Sequence, residues 1–332
     1  MAIDRYIGPV QPRGGCGKRP DGGVALLMVL WILAVLTVTV LSFSYTTRSE
    51  TYAAISFREG VEKKFLAEGG IERGLMEIIY RKTNASAPAT ETSGVWKTDG
   101  TAYPVTADNG SFVVSIMNES GKVDINTTPE LILRNLFANL GLSMEEVDTI
   151  VDSIGDWRDA DDLVRLHGAE SDYYMSLPTP YKPRNADFQT LEELLLVKGV
   201  TPQILYGGGE KKGVIDYLTV YSRSTRINVN AAPKEVLLAV PGMTTDAADA
   251  ILALREAREL TGQDMMGIIG QSYSQMSSYI DVAGLSTGGV FTVTSKGMKG
   301  TDTTGYAIKA TVSIDAKNNF RYLYYKSPAA TQ

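Results

Sequence analysis

The chain predicts an α+β fold: a long N-terminal helix packed on an antiparallel sheet, with a long helical block between the β segments. Three observations predict this. An uncharged apolar run follows a polar leader and passes into an amphipathic helical pattern. β-branched and aromatic runs cluster at 111–117 and again at 290–325. Between them lies a long helical stretch that carries an internal repeat.

The first element begins at Gly22-Gly23, where a basic leader (residues 1–23) ends. Val24 to Leu41 reads VALLMVLWILAVLTVTVL without a charge, and the uncharged stretch continues to Thr47. An apolar run of about 18 residues or more is long enough to cross a bilayer as a helix. The leader carries Arg5, Arg13, Lys18 and Arg19 against Asp4 and Asp21. The positive-inside tendency keeps that end cytoplasmic and sends the bulk across. Two processing routes are open at this junction. A secretory signal would be cut behind the run, near Ser42-Phe43-Ser44, and the mature chain would start near Tyr45. The other route cuts after Gly23 and keeps the apolar helix, with Val24 as the new amino terminus.

Residues 24–47 are therefore assigned to a transmembrane part and 48–82 to a part of the same helix beyond the membrane. In the second part Phe57, Val61, Phe65, Leu66, Ile71, Leu75, Ile78 and Ile79 recur at three- and four-residue steps, with charges between them. That is a half-buried helix face. Gly69-Gly70 costs about 1 kcal/mol of helix propensity per glycine, which suggests a bend. A continuous helix from Val24 to Arg81 would be roughly 90 Å long, and the alternative is a membrane anchor followed by a separate soluble helix.

Composition narrows the function classes. The chain has 332 residues and 44% hydrophobic content, enough for two cored domains behind the anchor. Its net charge of −6 argues against a nucleic-acid partner, whose phosphates need a basic face. The only cysteine is Cys16, in the leader, and the only histidine is His167. Catalysis by Ser-His-Asp or Cys-His groups and histidine-rich metal sites are thereby set aside, and no enzyme is expected.

The sheet is assigned to 83–118 and 286–332. Residues 83–111 read as a loop with one short strand, and Ser111 to Met117 as a strand. Val290–Ser295, Tyr306–Ile314 and Phe320–Tyr325 form a meander punctuated by glycines and Lys317-Asn318-Asn319. A meander needs a covering face, which the amphipathic helix supplies.

The inserted domain is assigned to 119–285. KVDINTTPELIL (Lys122–Leu133) and RINVNAAPKEVL (Arg226–Leu237) align at a fixed offset, matching Asn126 with Asn230 and Pro129 with Pro233. In each, a short apolar strand ends in Asn, and proline sits where a helix starts and its missing N–H costs nothing. Leu191–Leu205 and Val236–Leu252 look like helix-hairpin-helix units. Their hairpins, Gly199-Val200-Thr201 and Gly242-Met243-Thr244, lack Gly-x-Gly and are followed by Asp246 and Asp249 rather than a lysine cluster. They read as packing modules without nucleic-acid function.

Asp152, Asp156, Asp159, Asp161, Asp162, Glu170 and Asp172 crowd one region. Closely spaced hard oxygen ligands suit Ca²⁺, although the EF-hand glycine and glutamate are missing. Asp159 and Asp162 read alternatively as helix caps and helix-surface ion pairs with Arg158 and Arg165. A glycosidase-like carboxylate pair would be the enzymatic alternative, but no other residue points to a substrate cleft or a nucleophile.

GKVDIN with Pro129, SIGDWRDADD (Ser153–Asp162), GAESDYY (Gly168–Tyr174), PYKPRN (Pro180–Asn185), LEELLLVKGVT (Leu191–Thr201) and INVNAAP (Ile227–Pro233) occur in this order. Together they resemble the minor pseudopilin K family of the type II (general) secretion pathway, over essentially the whole chain, and the resemblance implies a pilin-like α+β fold with a large all-α domain inserted into it. The junction at Gly23-Val24 resembles the class III signal of type IV pilins and pseudopilins. The resemblance implies cleavage there by prepilin peptidase and methylation of Val24. It implies a single-pass inner-membrane protein with a cytoplasmic N-terminus and a periplasmic bulk. It also implies a place at the pseudopilus tip with minor pseudopilins I and J and the major pseudopilin. Met28 stands where most such subunits carry a glutamate, which suits a cap rather than a shaft subunit. No cofactor is required, but the resemblance makes calcium an expectation, and proximity in sequence picks out Asp156, Asp159, Asp161 and Asp162 as its candidate ligands. The competing class is a signal-anchored periplasmic binding or enzyme module of unrelated function.

Overall fold

The computed structural model describes residues 22–84, 96–209, 211–282, 289–300 and 304–329. Most of the leader, with Cys16, lies outside the described residues. Contacts divide the chain into two compact units, 1–59 and 60–332. One helix, α1, runs unbroken over Gly22–Thr83. In the first unit its side chains are exposed from Val24 onward, and it is long and apolar enough to cross a membrane.

In the second unit the end of α1 covers a sheet. Ala67, Ile71, Leu75 and Ile78 are buried at the three- and four-residue spacing of one helix face. The helix is not interrupted at Gly69-Gly70. Gly70 serves close approach instead: a Cβ there would stand 2.1 Å from Ser295 Oγ. Phe57 and Phe65, expected on the buried face, are exposed. The covered stripe starts at Ala67, and these two rings precede it.

The sheet has five antiparallel strands: β1 (Asp99–Ala107), β2 (Gly110–Asn118), β3 (Gly289–Met298), β4 (Tyr306–Ile314) and β5 (Phe320–Lys326). Their spatial order is β1-β2-β3-β4-β5. Alternate residues of the central strands point at the helix. Phe112, Val114, Ile116, Phe291, Val293, Ile308, Ala310, Val312 and Ile314 form one core with the α1 stripe. β2 pairs with β3 in continuous register, from Ser111 opposite Met298 to Asn118 opposite Phe291. Residues 119–282 thus leave and return between two neighbouring strands.

This insertion has its own core, built from Val123 to Ile280. Its regular elements are mostly helices, but it is not all-α. Val123-Asp124 pairs in parallel with Leu218-Thr219, and Ile227-Asn228 pairs in parallel with Ile280-Asp281. The internal repeat is physical. Asp124 accepts from the Asn126 N–H at 2.9 Å, and Asn228 accepts from the Asn230 N–H at 3.0 Å. Asn126 then makes a two-way clamp on the Phe188 backbone, at 2.8 and 3.0 Å. Asn230 does the same to Leu260, at 2.7 and 3.2 Å. Each proline is followed by a helix pair: α2 (Glu130–Asn139) with α3 (Met144–Arg158), and α4 (Lys234–Ala239) with α5 (Thr245–Arg255). The expected hairpin glycines Gly199 and Gly242 take φ of +86° and +85°, and Gly141, between α2 and α3, takes +93°, where a side chain would be strained. The arginine that ends each second helix reaches back to the strand: Arg158 to the Ile125 carbonyl, Arg255 to those of Val229 and Ala232.

A buried polar junction joins insertion to sheet. Glu119, directly after β2, is 2% exposed and lies 3.2 Å from Lys122 Nζ. Burial alone would raise its carboxyl. Lys122 and the hydroxyls of Thr219 and Thr292 outweigh burial and hold it below the usual range.

Candidate functional site

The acidic region is assembled from the end of α3 and the segment behind it. Ser143 caps α3 in a reciprocal box with Glu146, which fixes where the helix starts. Val147, Ile150, Val151, Ile154 and Trp157 bury its apolar face. Its last turns therefore carry Asp152 and Asp156 into the protein and leave Asp159 at the helix end.

The aspartates divide by partner. Asp152 pairs with Arg134 and accepts from the His167 N–H at 3.1 Å. Asp156 is fully buried and accepts from the Arg165 N–H at 3.3 Å, with Arg165 Nε 3.4 Å away. Gly168 makes this possible: a Cβ there would stand 1.9 Å from Asp156 Oδ2. Asp162 accepts from Ser171 Oγ at 2.9 Å. Asp161 folds its own turn by accepting from the Leu163 N–H at 2.9 Å.

The remaining group is short of positive charge. Oxygens of Asp159, Asp161 and Glu170 lie within 4.8 Å of one another. Glu170 is 5% exposed. Neither of its carboxylate oxygens has a hydrogen-bond partner among the described residues, and Asp159 Oδ1 is equally orphaned. Burial, reinforced by Asp156, Asp159, Asp162 and Asp161, pushes Glu170 up to about 7. Burial and Asp161 raise Asp159 as well. The Arg165 guanidinium beside them is shared among Glu130, Asp156 and Asp159.

These residues fit a hard divalent cation. Ca²⁺–O bonds of about 2.3–2.6 Å separate opposite ligands by about 4.6–5.2 Å, which spans the observed spacing. The donor set is all oxygen. Of the four aspartates expected as ligands, Asp159 and Asp161 belong to the group; Asp156 is committed to Arg165, and Asp162 to Ser171. Glu170 takes their place. It belongs to the acidic crowd in the sequence but not to the expected ligands, because its burial depends on tertiary packing. The GAE run after the aspartates is its only local sign.

At the other end of the chain, Gly23 and Val24 stand in the first turn of α1, and Met28 lies one turn beyond Val24. Val24 and Met28 are both exposed.

Comparison with known proteins gives matches of three kinds. Residues 113–206 match the family described as type II secretion system (T2SS), protein K. Type II secretion system protein K of Pseudomonas aeruginosa is 26% identical over 253 residues, covering 70% of this chain and 73% of the relative. Type II secretion system protein K of Pectobacterium carotovorum subsp. carotovorum is 29% identical over 195 residues, covering 54% of this chain and 58% of that protein. A chain in the crystal structure of the GspK-GspI-GspJ complex from enterotoxigenic Escherichia coli has the same fold. Its TM-score is 0.59 at 13% identity, over 85% of this chain and all of that one.

Proposed function

We infer that this homologue of type II secretion system protein K works as a minor pseudopilin in protein secretion. The observation that carries the reading is a helix-on-sheet core interrupted between β2 and β3 by a large helical insertion, in a chain with protein K relatives along more than half its length. The insertion uses helix-hairpin-helix-like modules as packing units. The apolar first part of α1 anchors the chain in the inner membrane, with its amino terminus cytoplasmic and its body periplasmic. Prepilin peptidase cuts after Gly23 and methylates Val24. Minor pseudopilins I and J, and then the major pseudopilin, are its partners; the likeness to a chain of the GspK-GspI-GspJ complex supports I and J. Met28 is uncharged and cannot neutralise a neighbour's buried amino terminus, so the subunit caps the tip and helps to start assembly for export across the outer membrane.

Calcium belongs to this reading as a structural ion. Asp159, Asp161 and Glu170 would hold it, and it would supply the positive charge that these carboxylates lack. The His-free, all-oxygen donor set favours it over zinc.

The test is processing followed by position. Gly23→Val puts a branched side chain at the cut site, so the unprocessed precursor should accumulate. Labelled wild-type subunits should then appear once, at the filament end, and co-purify with I and J. Normal maturation of the variant, or labels spread along the shaft, would overturn the reading.

A further inference from the structure

The segment that follows the acidic group carries three large apolar side chains turned to solvent. Leu163 is 77% exposed, Val164 62% and Leu166 90%. Clusters of exposed apolar side chains on a soluble surface mark interaction sites. These lie on backbone that is pinned at alternate residues. The Leu163 N–H is held by Asp161 and the Arg165 N–H by Asp156. The His167 N–H is held by Asp152. Lys198 Nζ donates to the His167 and Gly168 carbonyls at 3.2 and 2.9 Å. These bonds hold the loop with its leucines turned outward. The ordering that docking normally costs is already met by the fold.

We propose that Leu163, Val164 and Leu166 form a docking knob for a protein partner whose apolar pocket is rimmed by lysine or arginine. Charge complementarity selects that occupant. Residues 156–172 contain six acids (Asp156, Asp159, Asp161, Asp162, Glu170, Asp172) and two bases (Arg158, Arg165), a formal balance of −4. Arg165 is already shared by three carboxylates. One divalent cation would still leave the segment at −2. An anionic lipid surface is repelled with or without the ion, whereas a basic rim is attracted. The knob goes beyond the secretion role and does not depend on calcium.

The experiment uses the full chain in phosphatidylcholine nanodiscs and two fluorescent amphipathic peptides, one of leucine and lysine, the other of leucine and glutamate. The Leu/Lys peptide should bind and the Leu/Glu peptide should not. Leu163→Ser combined with Leu166→Ser should weaken Leu/Lys binding about tenfold or more, since two leucines lose their buried area. Both side chains are exposed, so the variant should melt with the parent. Unchanged peptide binding by the double variant would overturn the proposal. So would equal binding of the Leu/Glu peptide. Binding to phosphatidylglycerol vesicles that the double variant loses would identify a lipid surface instead and overturn it too.

Discussion

Calcium should stabilise the second unit of the fold, and Glu170 should be the residue that makes it do so. Glu170 is 5% exposed, and its oxygens lie within 4.8 Å of those of Asp159 and Asp161. Two full charges at that distance repel by about 3.5 kcal/mol at an effective dielectric near 20. Exposure of Asp161 screens part of this, so about 1–3 kcal/mol of strain remains when all three are ionised. A cation at a hundredfold excess over its dissociation constant adds about 2.7 kcal/mol by mass action. For a body of this size that is roughly 5–11 °C in melting temperature. The assay is a thermal melt of the detergent-solubilised chain at mildly alkaline pH, with calcium or with EDTA. Trp157 is a suitable probe because it lies on α3 between Asp156 and Asp159 and is 2% exposed. Glu170→Gln should act in two directions at once. In EDTA the variant should melt higher than the parent, since a buried charge without a partner is gone. With calcium it should melt lower, since a ligand is gone. Magnesium should substitute poorly, because it keeps its waters and demands octahedral geometry. A melting curve that ignores millimolar calcium, or a variant that follows the parent in both buffers, would refute the reasoning.

Two further predictions concern how the parts are joined. Lys122→Met leaves Glu119 buried without its cation and should cost about 3–5 kcal/mol in chemical denaturation, while replacing both by apolar residues should cost less. Because the Glu119 carboxyl is held below its ordinary 4.5, the stability it contributes is full above that value and is lost as pH falls through the lower folded value; Glu119→Gln should flatten that acid limb. At the helix–sheet contact, Gly70→Val should destabilise by about 1–3 kcal/mol or more, since a Cβ would meet Ser295 Oγ at 2.1 Å and the Phe112 ring at 2.9 Å. Gly69→Ala, which meets nothing within 4 Å, should instead stabilise by up to about 1 kcal/mol.

What is legible in the sequence depends on the length scale of each pattern. The apolar run and the strands Tyr306–Ile314 and Phe320–Lys326 are long enough for their periodicity to stand out. Asp99–Ala107 reads DGTAYPVTA, a turn-like composition, and becomes a nine-residue strand because Gly110–Asn118 pairs with it across a tight turn. Pairing context overrides weak β-propensity. The repeat is legible at its start but not at its end. Tyr217-Leu218-Thr219-Val220 and Tyr279-Ile280-Asp281-Val282 are the two returning bridges, and they resemble each other, yet two-residue strands carry no period to read. The candidate metal group is hidden for a related reason. Acidic residues near one another in sequence are visible, but which carboxylates lose their partners depends on where Arg165 goes.

The return of the second bridge also explains how so large an insertion leaves the sheet intact. Ile280-Asp281, the last described bridge of the insertion, pairs with Ile227-Asn228. Asn228 Nδ2 in turn donates to Ser120 Oγ at 3.2 Å, just beyond β2. Gly121 lets the two repeats touch there: a Cβ on it would stand 2.6 Å from the Ala231 backbone. The insertion therefore exits beside its own entrance. β2 and β3 can keep the register of two adjacent strands, as they do from Ser111 to Asn118. Loop-closure cost rises only slowly with length, so the size of the insertion is a small penalty once its ends are held together. Among the contacts that hold them, Asn228 to Ser120 and Glu119 to Lys122 and Thr219 are polar and lie close to the β2 exit. Damage at this point should loosen the insertion as a body while the helix-covered sheet, whose core shares no side chain with the insertion's core among the described residues, stays folded.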